Sequence, residues 1–289
     1  MVRERFRAMG TAMELLLDAP DGALARAALA AARAEIERLE GLLSRFRPGS
    51  ELSRLNRART MAVGPDLMRV LVAALALRRR TGGRFDPTVG RAMRAWGYDR
   101  SFELVAADGP PAEPAPAAGA VALDRAAGWV ALGAGVELDL GAIAKGDAAD
   151  RAAAVLAEAG PCLVNAGGDL VVSGPRADGS WPVGVDAPGG PAALMLERGG
   201  LATSGVDRRR WARGGLPAHH AMAPRRGAPA ATDLVRATAV APTGAEADAL
   251  ATALLVAGAR EARALADGWR VPALLVRRDG GVVLAGGLR

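Results

Sequence analysis

The chain has 289 residues, 51% apolar and 24% charged, enough for a sizeable core and incompatible with general disorder. A net charge of +6 comes mostly from scattered arginines, clustered at Arg78-Arg79-Arg80 and Arg208-Arg209-Arg210. With only 3% aromatics, this argues against nucleic acid and for a small anionic ligand. The single cysteine, Cys162, rules out an internal disulfide and a cysteine-clustered metal site, and no apolar run reaches the roughly 18 residues that span a bilayer.

In chain order, Met1 to Arg7 leads straight into Met9-Gly10-Thr11 and a strand-like Glu14 to Leu17, with no export signal. A cytoplasmic protein without stable membrane insertion is expected from the sequence as given, or an exported one if it is trimmed. The pattern predicts a helix over Ala23 to Arg45, with Ile36, Leu39, Leu42 and Leu43 on one face. Arg47 to Leu52 reads as a turn and a short capped segment, and a second helix fits Asp66 to Arg80, stopped by Gly82-Gly83. Asp108 to Ala118, dense in Pro and Ala, is expected to be an exposed variable loop that interrupts a domain.

Strand-like runs follow from Trp129 to Asp139, then a helix from about Ala144 to Ala159. Leu163 to Ser173 reads as strand, Gly-Gly turn, strand. Further strands are expected at Trp181 to Asp186, Ala193 to Leu196, Leu201 to Ser204, Thr238 to Ala241, Ala273 to Val276 and Val282 to Ala285, with a helix from near Glu246. Strands and helices mix without regular alternation, which predicts an α+β class.

Two constellations carry chemistry. Leu138-Asp139-Leu140-Gly141-Ala142-Ile143-Ala144-Lys145-Gly146 reads as a carboxylate at a strand end, a turn, and a lysine where a helix begins. Exposed N–H groups beside a lysine suit a pyrophosphate, although an ordinary turn with a solvated lysine fits this segment alone. Asp248 and Thr252 lie four apart on the next helix and so share a face; with a turn carbonyl they make the incomplete, all-oxygen shell that Mg²⁺ prefers. A dipole-favoured Asp and a bland Thr are the alternative.

Together with Met9-Gly10-Thr11, Ser50-Glu51-Leu52-Ser53-Arg54-Leu55-Asn56, Thr81-Gly82-Gly83-Arg84-Phe85-Asp86-Pro87-Thr88-Val89-Gly90 and Asn165-Ala166-Gly167-Gly168-Asp169, these blocks resemble the ApbE family of FAD:protein FMN transferases, in the family's order, from about residue 8 to 258. The resemblance implies one ApbE-like unit over residues 1–289, with mixed, largely antiparallel sheets packed by helices. It also implies Mg²⁺-dependent transfer of the FMN portion of FAD to a Thr or Ser hydroxyl of an acceptor flavoprotein carrying an FMN-binding domain, releasing AMP.

Carried over, Met9, Phe46, Arg84, Phe85, Asp86, Asp139, Lys145, Gly167 and Gly168 are expected at the FAD site. The Ala142 carbonyl, Asp248 and Thr252 are the implied metal ligands, and Lys145 and Asp248 also belong to the catalytic set. His220 aligns with the histidine of the family pattern His-x-x-Asp-Pro-Arg-Thr-Gly and is the implied base. Here Ala223 replaces the Asp and Arg226 the Thr, leaving the orientation of His220 less fixed. The rival readings are an FAD pyrophosphatase using the same metal site with water as nucleophile, and a non-catalytic flavin-binding protein.

Overall fold

Eight antiparallel strands cross the molecule in the same order in space as in sequence, in a computed structural model describing residues 1–117, 119–188 and 190–288. They are β1 (Val2–Ala8), β2 (Thr11–Leu17), β3 (Cys162–Ala166), β4 (Asp169–Ser173), β5 (Arg198–Gly205), β6 (Leu234–Ala241), β7 (Ala273–Arg277) and β8 (Val282–Ala285). Alternation along the strands sends side chains to two cores. Leu163, Leu170, Val172, Leu201, Leu274 and Val276 pack under the hairpin Trp181–Ala187/Gly190–Leu196 with Trp181, Val183 and Val185. Val164 and Val171 face the other way, towards the helices.

The helices are α1 (Ala23–Leu43), α2 (Glu51–Ala58), α3 (Pro65–Arg80), α4 (Gly90–Ala95), α5 (Ala144–Ala157), α6 (Gly244–Ala257) and α7 (Ala259–Trp269). Ala25, Leu29, Ala32, Ile36, Leu39 and Leu43 give α1 its buried stripe. α5 and α6 meet through small residues: a Cβ on Gly146 would lie 2.2 Å from the Gly244 carbonyl oxygen, so only glycine permits this approach. Asp150, on α5, locks the pair by accepting from the Gly244 and Ala245 amides at 2.7 and 3.0 Å, serving as a cap for α6 from outside it. Burial raises the Asp150 carboxyl to about 6 against the pull of those two amides.

Two expectations change, and a third gains detail. The first helix ends two residues early: Ser44 is extended and its carbonyl accepts from Ser50 Oγ at 2.6 Å, which turns Arg45 and Phe46 away from the helix. Asp139 is not at a strand end. Glu137 makes a single bridge to Val89, and the segment is held instead by Asn56, whose side chain pairs with both backbone groups of Leu138 at 2.8 and 2.9 Å. The Pro/Ala-rich loop carries no helix or strand over residues 110–117 but is docked: Ala115 N donates to Gly227 O at 3.1 Å and Ala117 N to Pro224 O at 2.8 Å. Its last predicted residue, Ala118, lies outside the described residues. No helix among the described residues is long and apolar enough to cross a membrane.

Candidate active site

One end of the sheet, the N-termini of α5 and α6, and the segment Ser44–Arg47 enclose an open cleft of about 1170 Å³. Every candidate cofactor, metal and catalytic residue read from the sequence lines it: Met9, Phe46, Arg84, Phe85, Asp86, Asp139, Ala142, Lys145, Gly167, Gly168, His220, Asp248 and Thr252. Two hairpin turns form one rim. Met9 and Gly10, between β1 and β2, both take positive φ (51° and 70°), the two-residue turn that matches strand twist. Gly167 (φ 72°) joins β3 to β4 so close to Thr11 that a Cβ would lie 2.0 Å from its hydroxyl oxygen. Left-handed backbone at a non-glycine such as Met9 costs energy and is maintained by the surrounding fold.

Lys145 is the hub. Its Nζ lies 2.7 Å from Asp169 Oδ2 and 3.2 Å from Asp248 Oδ2, and it donates to the Gly141 carbonyl at 3.3 Å. Burial disfavours the ammonium, but Asp169 and Asp248 outweigh it and hold its pKa above the usual lysine range. Burial, then repulsion from Asp169, raises the Asp248 carboxyl against the opposing pull of Lys145. Two buried carboxylates thus face one ammonium, an arrangement short of positive charge. Thr252 Oγ1 shares a 2.8 Å hydrogen bond with Ser204 Oγ.

The donors that Asp248, Thr252 and Ala142 can offer here are oxygens, and all three residues line the cleft. Such a set, with excess negative charge and open space, fits a hard divalent cation that keeps room for phosphate and water. Among the described residues no three His, Cys, Asp or Glu side chains gather as an all-side-chain metal cage.

Asp139 is tied to the opposite wall. Its Oδ1 accepts from the Gly141 amide at 2.6 Å and its Oδ2 lies 2.5 Å from Arg45 Nε. The Arg45 guanidinium in turn sits over the rings of Phe46 and Tyr98, 4.1 and 4.7 Å from their centroids. Arg45, Tyr98, Asp169 and Arg209 were not selected as site residues from the sequence. An arginine beside an aromatic just past a helix end was a usable signal for Arg45; nothing local pointed to Tyr98.

The 81–90 block is more structural than its place in the cleft suggests. Phe85 is a core member with 2% exposure. Asp86 Oδ1 accepts from the Thr88 amide and hydroxyl at 2.9 and 2.7 Å, and its Oδ2 pairs with Arg78 at 2.8 Å. Arg84 pairs with Glu261 on α7.

His219 closes a small hairpin strand (Leu216–His219) and His220 follows it. Both Nδ1 atoms are buried and unpaired. Burial, then the charges of Arg209 and neighbouring His219, lowers His220 to about 3; burial lowers His219 to about 4. Both rings are therefore neutral at pH 7. Ala223, at the position of the expected Asp, pairs with Ala228 in a second small hairpin and offers no carboxylate.

Against known proteins, the family model described as "ApbE family" matches residues 9–275. A FAD:protein FMN transferase of Rhodobacter capsulatus is 34% identical over 98% of this chain and 57% of that protein, so the chain spans little more than half of that relative. One of Treponema pallidum is 32% identical over 80% of this chain and 71% of its own length. The crystal structure of the ApbE protein of Thermotoga maritima superposes with a TM-score of 0.87 at 27% identity, covering 98% of this chain and 96% of that one. The apo flavinyl transferase ApbE of Pseudomonas stutzeri shares the fold at a TM-score of 0.82 and 23% identity, over 98% and 94% of the two chains.

Proposed function

The chain belongs to the ApbE family, and on that premise we propose that residues 1–289 act as one unit transferring the FMN portion of FAD to a Thr or Ser hydroxyl of an acceptor flavoprotein, with release of AMP. The observation that carries this reading is Lys145 held between Asp169 and Asp248 at the mouth of the two helix N-termini, in a cleft large enough for a dinucleotide.

In this reading Lys145 and the amides at the start of α5 bind the pyrophosphate of FAD. Arg45, Phe46 and Tyr98 supply a cationic and aromatic wall for an aromatic ring system, with Asp139 fixing Arg45. The Asp248 carboxylate, the Thr252 hydroxyl and the Ala142 carbonyl would hold Mg²⁺, which would supply charge neutralisation at the pyrophosphate. The acceptor oxygen forms a bond to the FMN phosphorus, the P–O bond to AMP breaks, and the acceptor's proton passes to His220. A neutral His220 can receive it; burial is the main cause of its low basicity, and the incoming pyrophosphate would offset the smaller contributions of the Arg209 and Lys145 charges. Gly167 and Gly168 let backbone approach the ligand, and Met9 closes the rim.

The absence of a carboxylate behind His220 favours one alternative, hydrolysis of FAD by water at the same site. Incubation with FAD and Mg²⁺, with and without an acceptor domain, decides between them. AMP release that requires acceptor and is matched by covalent flavin supports transfer. AMP release at the same rate without acceptor supports hydrolysis, and intact FAD in both reactions would refute both.

A further inference from the structure

The turn between Met222–Ala223 and Ala228–Pro229 carries Pro224-Arg225-Arg226-Gly227 as a four-residue hairpin tip. It is fixed from inside by Arg226 N and Gly227 N, which donate to the Ala223 carbonyl at 3.0 and 2.9 Å. It is also fixed from behind: the Gly227 carbonyl accepts from Trp96 Nε1 at 3.0 Å and from Ala115 N at 3.1 Å. At Gly227 a Cβ would lie 2.0 Å from the Ala115 carbonyl carbon, so the 110–117 loop is pressed against the tip.

This scaffold presents Arg225 and Arg226 to solvent. Neither has an ion-pair partner among the described residues, whereas Asp186 and Asp207, which line the cleft, are already paired with Arg208 and Arg236. The adjacent Pro224 lines the cleft together with His220 and Arg209. The arginines are thus held by a braced turn whose Pro224 lines the same cleft as the proposed base. Rigid, unpaired charge at the rim of a site steers and registers an oppositely charged partner.

We propose that Arg225 and Arg226 dock an acidic patch of the acceptor protein beside its target hydroxyl. This rests on the transferase reading above. It also gives a use to Arg226 at the position where the family pattern has threonine: a small polar group is exchanged for a second cation.

The test uses an FMN-binding acceptor domain with acidic residues around its target Thr, and the same domain with those acids changed to amides. The Arg225→Glu/Arg226→Glu double variant should lower kcat/KM for the acidic acceptor about tenfold or more at low salt, with the gap shrinking as salt is added. For the amide acceptor, wild type and variant should differ little. FAD affinity and Tm should match the wild type, and Arg225→Gln/Arg226→Gln should fall between. Equal transfer rates to the acidic acceptor overturn this inference alone. A parallel loss of FAD affinity also overturns it, by assigning the arginines to the cofactor. No transfer by the wild type overturns the underlying reading and this one with it.

Discussion

Replacing Gly146 by alanine places a methyl group between α5 and α6, where the Gly244 carbonyl oxygen would be 2.2 Å away, its carbon 2.3 Å and the Ala245 nitrogen 2.6 Å. All three obstacles are backbone, so no side-chain rotation relieves them, and the two helix N-termini must part by roughly 1 Å to restore van der Waals distance. Overpacking of this kind costs about 1–3 kcal/mol, or several degrees of Tm in a chain of this size. The larger effect falls on the site, because Lys145 is carried by α5 and Asp248 by α6. A displacement of about 1 Å between groups that must act together lowers turnover by about 10². The assay is Mg²⁺-dependent AMP release from FAD, alongside thermal melting. Gly268→Ala is the control: nothing lies within 4 Å of its added methyl, and inside α7 the change should stabilise by about 0.5–1 kcal/mol with activity intact. If Gly146→Ala melts and turns over like the wild type, the proposed coupling between the helix ends and the site is wrong.

Two further outcomes follow from burial. His219 and His220 are depressed to about 4 and about 3 in the fold against 6.5 in an unfolded chain. Below 6.5 the unfolded state takes up protons that the native state refuses, so stability is full above pH 6.5 and falls as pH drops towards 4 and then 3. At 1.36 kcal/mol per unit the loss is on the order of 3 kcal/mol for His219 as an upper bound, and denaturant melts of His219→Gln should show a shallower acid limb. A limb unchanged by that substitution would contradict the burial assignment. Cys162 is buried and raised to about 11 by burial, so a thiol reagent at pH 8 should label it only on unfolding. Rapid native labelling would show that β3 opens readily.

Periodic and punctuated elements were readable in the sequence. The α1 stripe, the Gly167-Gly168 hairpin and the start of α6 each carry their cause locally, in apolar spacing, turn glycines and the Thr243 cap that accepts from the Glu246 amide at 3.2 Å. Asp139 misled because its extended shape comes from Asn56, 82 residues away for the bonded Leu138, and no local pattern encodes such a brace. The α7 helix went unrecognised, its buried face resting on little more than Ala262 and Ala266. Within the site, Lys145 and Asp248 could be named separately, but Asp169 as their third partner, and Arg45 reaching back to Asp139, are products of the sheet order and the early end of α1. The alanine richness, legible only as compositional bias, lets α5 and α6 pack through Ala148, Ala149, Ala249 and Ala253.

The carboxylate of Asp248 is the group on which the proposed Mg²⁺-dependent chemistry most depends. Its substitution by asparagine keeps the shape and removes the charge from a site where it opposes Lys145 at 3.2 Å. The intact mass of an acceptor domain, measured after incubation with FAD and Mg²⁺, is predicted to rise by one FMN adduct with the wild type and to stay unchanged with a folded Asp248→Asn enzyme. Equal adduct formation by the two proteins would contradict the account.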